Sequence, residues 1–116
     1  DDRLALVDWE SAEPEGLPLI DLLYFLVNAA FVCDRTLGTG RELDTYRTLL
    51  DGSSRFSRTF AATLRRHANA IDIDESCIPA LRALAWMIHA MNEHDREHAH
   101  RVYLSLWRHD MMQASR

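Results

Sequence analysis

Residues 17–33, LPLIDLLYFLVNAAFVC, constrain the fold more than any other stretch. Leu22, Leu23, Phe25, Leu26, Ala29, Ala30 and Val32 predict a helix that is apolar nearly all round. Such a helix is normally central and covered on several sides. It does not read as a membrane span, because it carries Asp21 and Asn28 and falls short of the ~20 clean apolar residues a bilayer requires. Asp21 is expected to cap it: a short carboxylate accepts from the free N–H groups of the first turn and suits the positive helix end. Covering this helix needs a core. With 116 residues, 47% hydrophobic and 27% charged, the chain has material for one modest globular domain. Its net charge of −5 lacks the basic surface that general nucleic-acid binding requires.

The remaining elements follow from punctuation and period. Residues 4–7, LALV, read as a strand, with Leu4 and Leu6 on one face and Ala5 and Val7 on the other. Pro14, Gly16 and Pro18 make residues 11–20 a loop. The segment DRTLGTGREL is a loop running into a short helix over 42–50, which Asp51-Gly52 ends. Ser53 or Ser54 is expected to cap a longer helix through about Ala70, with Phe56, Phe60, Ala61, Leu64 and Ala68 at helical spacing. After the turn IDIDES, Ser76 would cap a helix from Cys77 to about Met91, placing Pro79 in the first turn, where no N–H bond is lost. A last helix carries Val102, Leu104, Leu106 and Trp107. The result is a mainly α chain of about five helices with one short N-terminal strand that lacks a partner.

Asp8 ends that strand. A carboxylate held at a strand end is a common way to present a metal ligand from a rigid element, and it is also an ordinary turn residue. The wider segment LVDWESAEPEGLPLIDLLYFL decides between these readings. It resembles the stretch after the catalytic loop in the aminoglycoside phosphotransferase and choline kinase-like family. There an apolar strand ends in Ile/Val-Asp-Trp/Phe-Glu/Asp, a loop with Gly and Pro follows, and Asp-Leu-Ala/Leu opens an apolar helix. Gly16-Leu17-Pro18 stands where the family more often has Gly-Asp-Pro. The resemblance covers residues 4–27, and the helical remainder is compatible with it.

The resemblance implies the helical part of a kinase-like C-terminal lobe. Residues 1–10 would be the strand and metal motif, 11–20 a loop, and 21–116 a helical subdomain. Asp8 would bind Mg²⁺, Trp9 would pack beside it, and Asp21 would be buried and hydrogen-bond the catalytic-loop backbone, a structural role. The intact parent would move a phosphoryl group from ATP to a hydroxyl of a small-molecule acceptor, by positioning and charge neutralisation. The family's His-Gly-Asp-x-x-x-x-Asn loop would lie upstream of Asp1, as would the nucleotide-covering lobe. The chain alone is therefore expected to be a catalytically inert part of a cytoplasmic enzyme. Without upstream strands, residues 4–7 are expected to pair with a second copy, giving a homodimer.

Other candidates are weaker. HDREH, from His94 to His98, matches the H-x-x-E-H pattern of inverted zinc peptidases, with Glu97 as base, but a solvated helix start explains it as well. Trp86, Tyr103 and Trp107 at helical spacing read as core. Asp34, Asp44, Asp51 and Glu93 could meet a cationic acceptor or simply solvate a surface. Cys33 and Cys77 form no CxxC pair and read as buried free thiols of a reducing compartment. The rival to the phosphotransferase reading is a non-enzymatic helical interaction module.

Overall fold

A computed structural model describes residues 17–94 and 101–114. The expected strand over 4–7, together with Asp8, Trp9, Glu10, Glu97 and His98, lies outside the described residues. Within them the chain is helical: α1 (Ile20–Cys33), α2 (Glu42–Asp51), α3 (Ser57–Ala70), α4 (Ile78–His94) and α5 (Val102–Ala114), with a 3₁₀ turn over Glu75–Cys77 leading into α4. The most extensive packing is between α4 and α5. The helix α1 lies against α2, α3 and α4, while α2 also reaches α3 and α5. Trp86, Tyr46, Phe31, Leu23, Leu106 and Val27 are the largest fully buried side chains, so α1, α2, α4 and α5 all feed one core. Phe60, Leu64 and Ala68 extend it under α3.

The start of α1 departs from expectation. Its cap position is Leu19, in the left-handed region at φ 70° and without a side-chain cap bond. Leu19 is only 5% exposed, so burying its side chain holds the backbone in a conformation that costs an L-residue ~1–2 kcal/mol. The helix therefore begins at Ile20, and Asp21 is carried round to the solvent side as the second helical residue, exposed rather than capping. Its charge still sits in the first turn, where the helix dipole favours it.

The far face of α1 is also open. Leu23, Val27, Ala30 and Phe31 are buried, whereas Phe25 is 66% and Val32 59% exposed. The helix is covered on one side, not on several.

Helix ends explain most other shifts. At the end of α1, Thr36 N–H bonds to Phe31 O at 2.9 Å and Arg35 N–H to Val32 O at 3.1 Å, with Arg35 left-handed at φ 58°. This is a Schellman stop with arginine where glycine is usual. The end of α3 repeats it: Ile73 N–H bonds to Ala68 O at 2.8 Å around Asp72 at φ 59°. Gly52 closes α2 at φ 91°, as the Asp-Gly pair predicts. Ser54 builds the following turn, its Oγ accepting from Phe56 N–H and its carbonyl from Ser57 N–H, so α3 starts at Ser57 and not just after Ser53 or Ser54. Asp74, rather than Ser76, is the cap before α4; its carboxylate accepts from Ser76 N–H at 2.8 Å. Helix α4 then runs to His94, a turn beyond the expected end.

The loop before α2 is tied down by Glu42. Its Oε1 accepts from Thr39 N–H and Gly40 N–H, both at 2.9 Å, and the residue is 2% exposed. Thr36 Oγ1 and Thr45 Oγ1 share a 2.8 Å hydrogen bond across the same loop.

Candidate functional site

The described chemistry gathers around Asp110 on α5. Its Oδ2 accepts from Tyr46 Oη at 2.7 Å and from Arg82 Nε at 2.9 Å. Its Oδ1 lies 3.4 Å from His109 Nδ1. Trp86 Nε1 in turn donates to Tyr46 Oη at 2.8 Å. Helices α2, α4 and α5 are thus joined by one buried polar chain, Trp86 to Tyr46 to Asp110 to Arg82. Burial pushes the Tyr46 hydroxyl far above the ordinary tyrosine range; Arg82 opposes that and Asp110 adds to it. Tyr46 is consequently a fixed donor at biological pH, and the carboxylate receives two charge-assisted or strong bonds.

The Asp110 side chain is 3% exposed and that of Arg82 19%. The carboxylate is therefore sealed, and the guanidinium is the member of the chain that reaches an open surface. It does so in a groove of about 520 Å³ between the end of α2, α3 and the start of α4. Arg58 and Arg65 stand on the same groove, with Leu49, Phe60 and Leu64 among its lining. Arg65 Nε is 3.6 Å from Glu75 Oε1.

A second cluster lies at α1, α4 and α5. Tyr24 stacks on His89 with centroids 4.5 Å apart, and His89 meets Tyr103 at 5.0 Å. Asn28 Nδ2 donates to both Tyr103 Oη and Tyr24 O at 2.8 Å. Among the described residues His89 Nε2 is buried without a hydrogen-bond partner. Burial lowers the His89 pKa, against an opposing pull from Asp21. Burial likewise pushes the Tyr103 hydroxyl up.

Of the residues singled out in the sequence, Trp86 is core with its indole N–H satisfied, as expected, while Tyr103 and Trp107 are half-buried against the core. Asp21 is exposed on α1 and belongs to neither hydrogen-bonded cluster, touching the second only through its charge on His89. The acidic set does not converge. Asp44 pairs with Arg41 at 3.6 Å on the surface, Asp51 accepts from Ser53, and Glu93 accepts from Tyr103 N–H at 3.1 Å at the start of α5. Cys33 and Cys77 are exposed free thiols, not buried ones, since each sits at a helix boundary.

Among the described residues no group of three or more His, Cys, Asp or Glu could hold a metal ion, and no helix is long and apolar enough to cross a membrane. Sequence reasoning missed the Asp110 chain entirely. Its hydrogen-bonded pairs are 28 to 64 residues apart along the chain, and no local motif announces them. Comparison with known proteins finds no matching family model, curated protein or solved structure.

Proposed function

We propose that this chain is the helical, acceptor-side part of an ATP-dependent phosphotransferase that acts on a hydroxyl of a small molecule. The observation that carries the reading is the sequence segment LVDWESAEPEGLPLIDLLYFL, whose Asp8 follows an apolar run and precedes the apolar helix α1 at the spacing of the family it resembles. In the intact enzyme Asp8 would hold Mg²⁺ against the ATP phosphates. Asp21 is exposed and makes no cap, which counts against the buried, loop-supporting Asp that the resemblance implies, so the reading rests on the pattern around Asp8. The open apolar face of α1, with Phe25 and Val32 exposed, supports the same reading, because a helix of this composition is normally covered on more than one side.

The same open face also favours a second reading, a helical interaction module that buries Phe25 against a partner protein. The two separate on chemistry. The intact protein, incubated with Mg²⁺, ATP and a panel of hydroxyl-bearing small molecules, should yield ADP and one phosphorylated product by mass spectrometry. The chain of residues 1–116 alone should yield none and should bind Mg²⁺-ATP no tighter than the millimolar range. Micromolar ATP binding by residues 1–116, or no acceptor-dependent ADP from the intact protein, contradicts the phosphotransferase reading.

A further inference from the structure

The groove between α2, α3 and α4 is a feature that the phosphotransferase reading does not use. Three guanidinium groups line it, from Arg58, Arg65 and Arg82, against one carboxylate, from Glu75. This local excess of positive charge stands in a chain whose net charge is −5.

Each arginine has donors to spare. Arg58 has no hydrogen-bond or ion-pair partner among the described residues. Arg65 meets Glu75 only at 3.6 Å through Nε. Arg82 spends its Nε–H on Asp110 at 2.9 Å and keeps four of its five N–H groups unpaired among the described residues. Asp110 is itself locked by Tyr46, so the Arg82 guanidinium is held in place rather than free to swing. A planar donor fork fixed from behind is the arrangement that recognises a phosphate or carboxylate bidentately.

The floor is apolar. Leu49, Phe60 and Leu64 are 3–6% exposed, and all three line the groove. Its volume, about 520 Å³, falls within the range of small-molecule pockets, about 300–1,000 Å³.

We propose that this groove binds a small soluble anion with an apolar body, its phosphate or carboxylate held by Arg58, Arg65 and Arg82 and its body resting on Leu49, Phe60 and Leu64. The inference does not rest on the phosphotransferase reading, since none of these residues belongs to the segment that carries it. Charge and apolar contact act together, so neither half of the ligand suffices alone.

Titration calorimetry on residues 1–116 tests this with four probes: 1-naphthyl phosphate, 1-naphthoate, 1-naphthol and inorganic phosphate. The two naphthyl anions should bind below the millimolar range and at least about tenfold tighter than either 1-naphthol or inorganic phosphate, and added salt should weaken them. Arg58→Ala, at an exposed and unpaired position, should weaken the anions several-fold without disturbing the fold. Arg82→Lys should also weaken them by removing the fork while keeping the charge, with circular dichroism to confirm the fold because Arg82 also holds Asp110, and Arg47→Ala, outside the groove, should change nothing. Equal binding of 1-naphthol and 1-naphthyl phosphate overturns the proposal. So does unaltered affinity in Arg58→Ala, an equal loss in Arg47→Ala, or no binding of either anion. Binding confined to phosphatidylglycerol vesicles would also overturn it, by assigning the arginines to a lipid surface.

Discussion

Two residues carry conformational or protonic stress that ordinary substitutions can relieve. Arg35 occupies the left-handed position of the stop after α1 at φ 58°, where a side chain costs ~1 kcal/mol or more and glycine costs little. Its side chain is exposed, so nothing packed is lost on replacement. Arg35→Gly should raise stability by ~0.5–1 kcal/mol in chemical denaturation, less any gain in unfolded-chain entropy; a destabilised variant would show that the stop depends on the arginine. His89 is the protonic case. Burial lowers its folded-state pKa, so the unfolded chain takes up its proton first as pH falls. The neutral imidazole's contribution is fully present above the unfolded value of about 6.5 and is lost as pH drops through the folded value. Replacing it by Phe preserves the stack on Tyr24 and removes the titration. His89→Phe should therefore flatten the loss of stability between neutral and mildly acid pH, measured by denaturation at a series of pH values. An unchanged acid slope would place the sensitivity elsewhere.

At the scale of elements, the buried chain from Trp86 to Arg82 decides how α2, α4 and α5 lock together. Removing one partner leaves the others buried and unpaired, which costs more than the bond itself contributes. Tyr46→Phe strands the Trp86 indole N–H and should cost ~1–3 kcal/mol. Asp110→Ala strands both Tyr46 and Arg82 and should cost ~3 kcal/mol or more. Their effects should be non-additive by ~0.5–3 kcal/mol in a double-mutant cycle, and strict additivity would mean that the two groups do not act as one unit. Locally encoded features were the legible ones. The period of α1 and α5, the Asp51-Gly52 stop and Pro79 in the first turn of α4 all follow from residues a few positions apart. The start of α1 was not legible, because tertiary burial of Leu19 overrode the local capping preference of Asp21. Thr39-x-x-Glu42 did carry a capping-box spacing, yet the glycines around it masked the signal as loop. Both thiols were misplaced because cysteine's usual burial says nothing about a particular helix boundary.

At the scale of the whole molecule, the described helices form a core on one side of α1 and leave the other side open. Phe25, Val32, Met91 and Met112 are each 59–66% exposed. If residues 4–7 pair with a second copy, light scattering at high concentration should return a dimer mass, and a strictly monomeric mass contradicts the pairing while leaving the phosphotransferase reading untouched. That reading stands on Asp8, and a metal-bridging carboxylate separates cleanly from a surface one. A surface change shifts stability by ~0.5 kcal/mol and leaves chemistry alone, whereas loss of a ligand that neutralises charge on transferring phosphate removes the step itself. The most direct measurement is acceptor-dependent phosphoryl transfer from ATP by the intact protein and by its Asp8→Ala variant, with circular dichroism to confirm that the helices persist. The account predicts a folded variant whose turnover falls by at least about a hundredfold; a folded variant with unchanged turnover would contradict it.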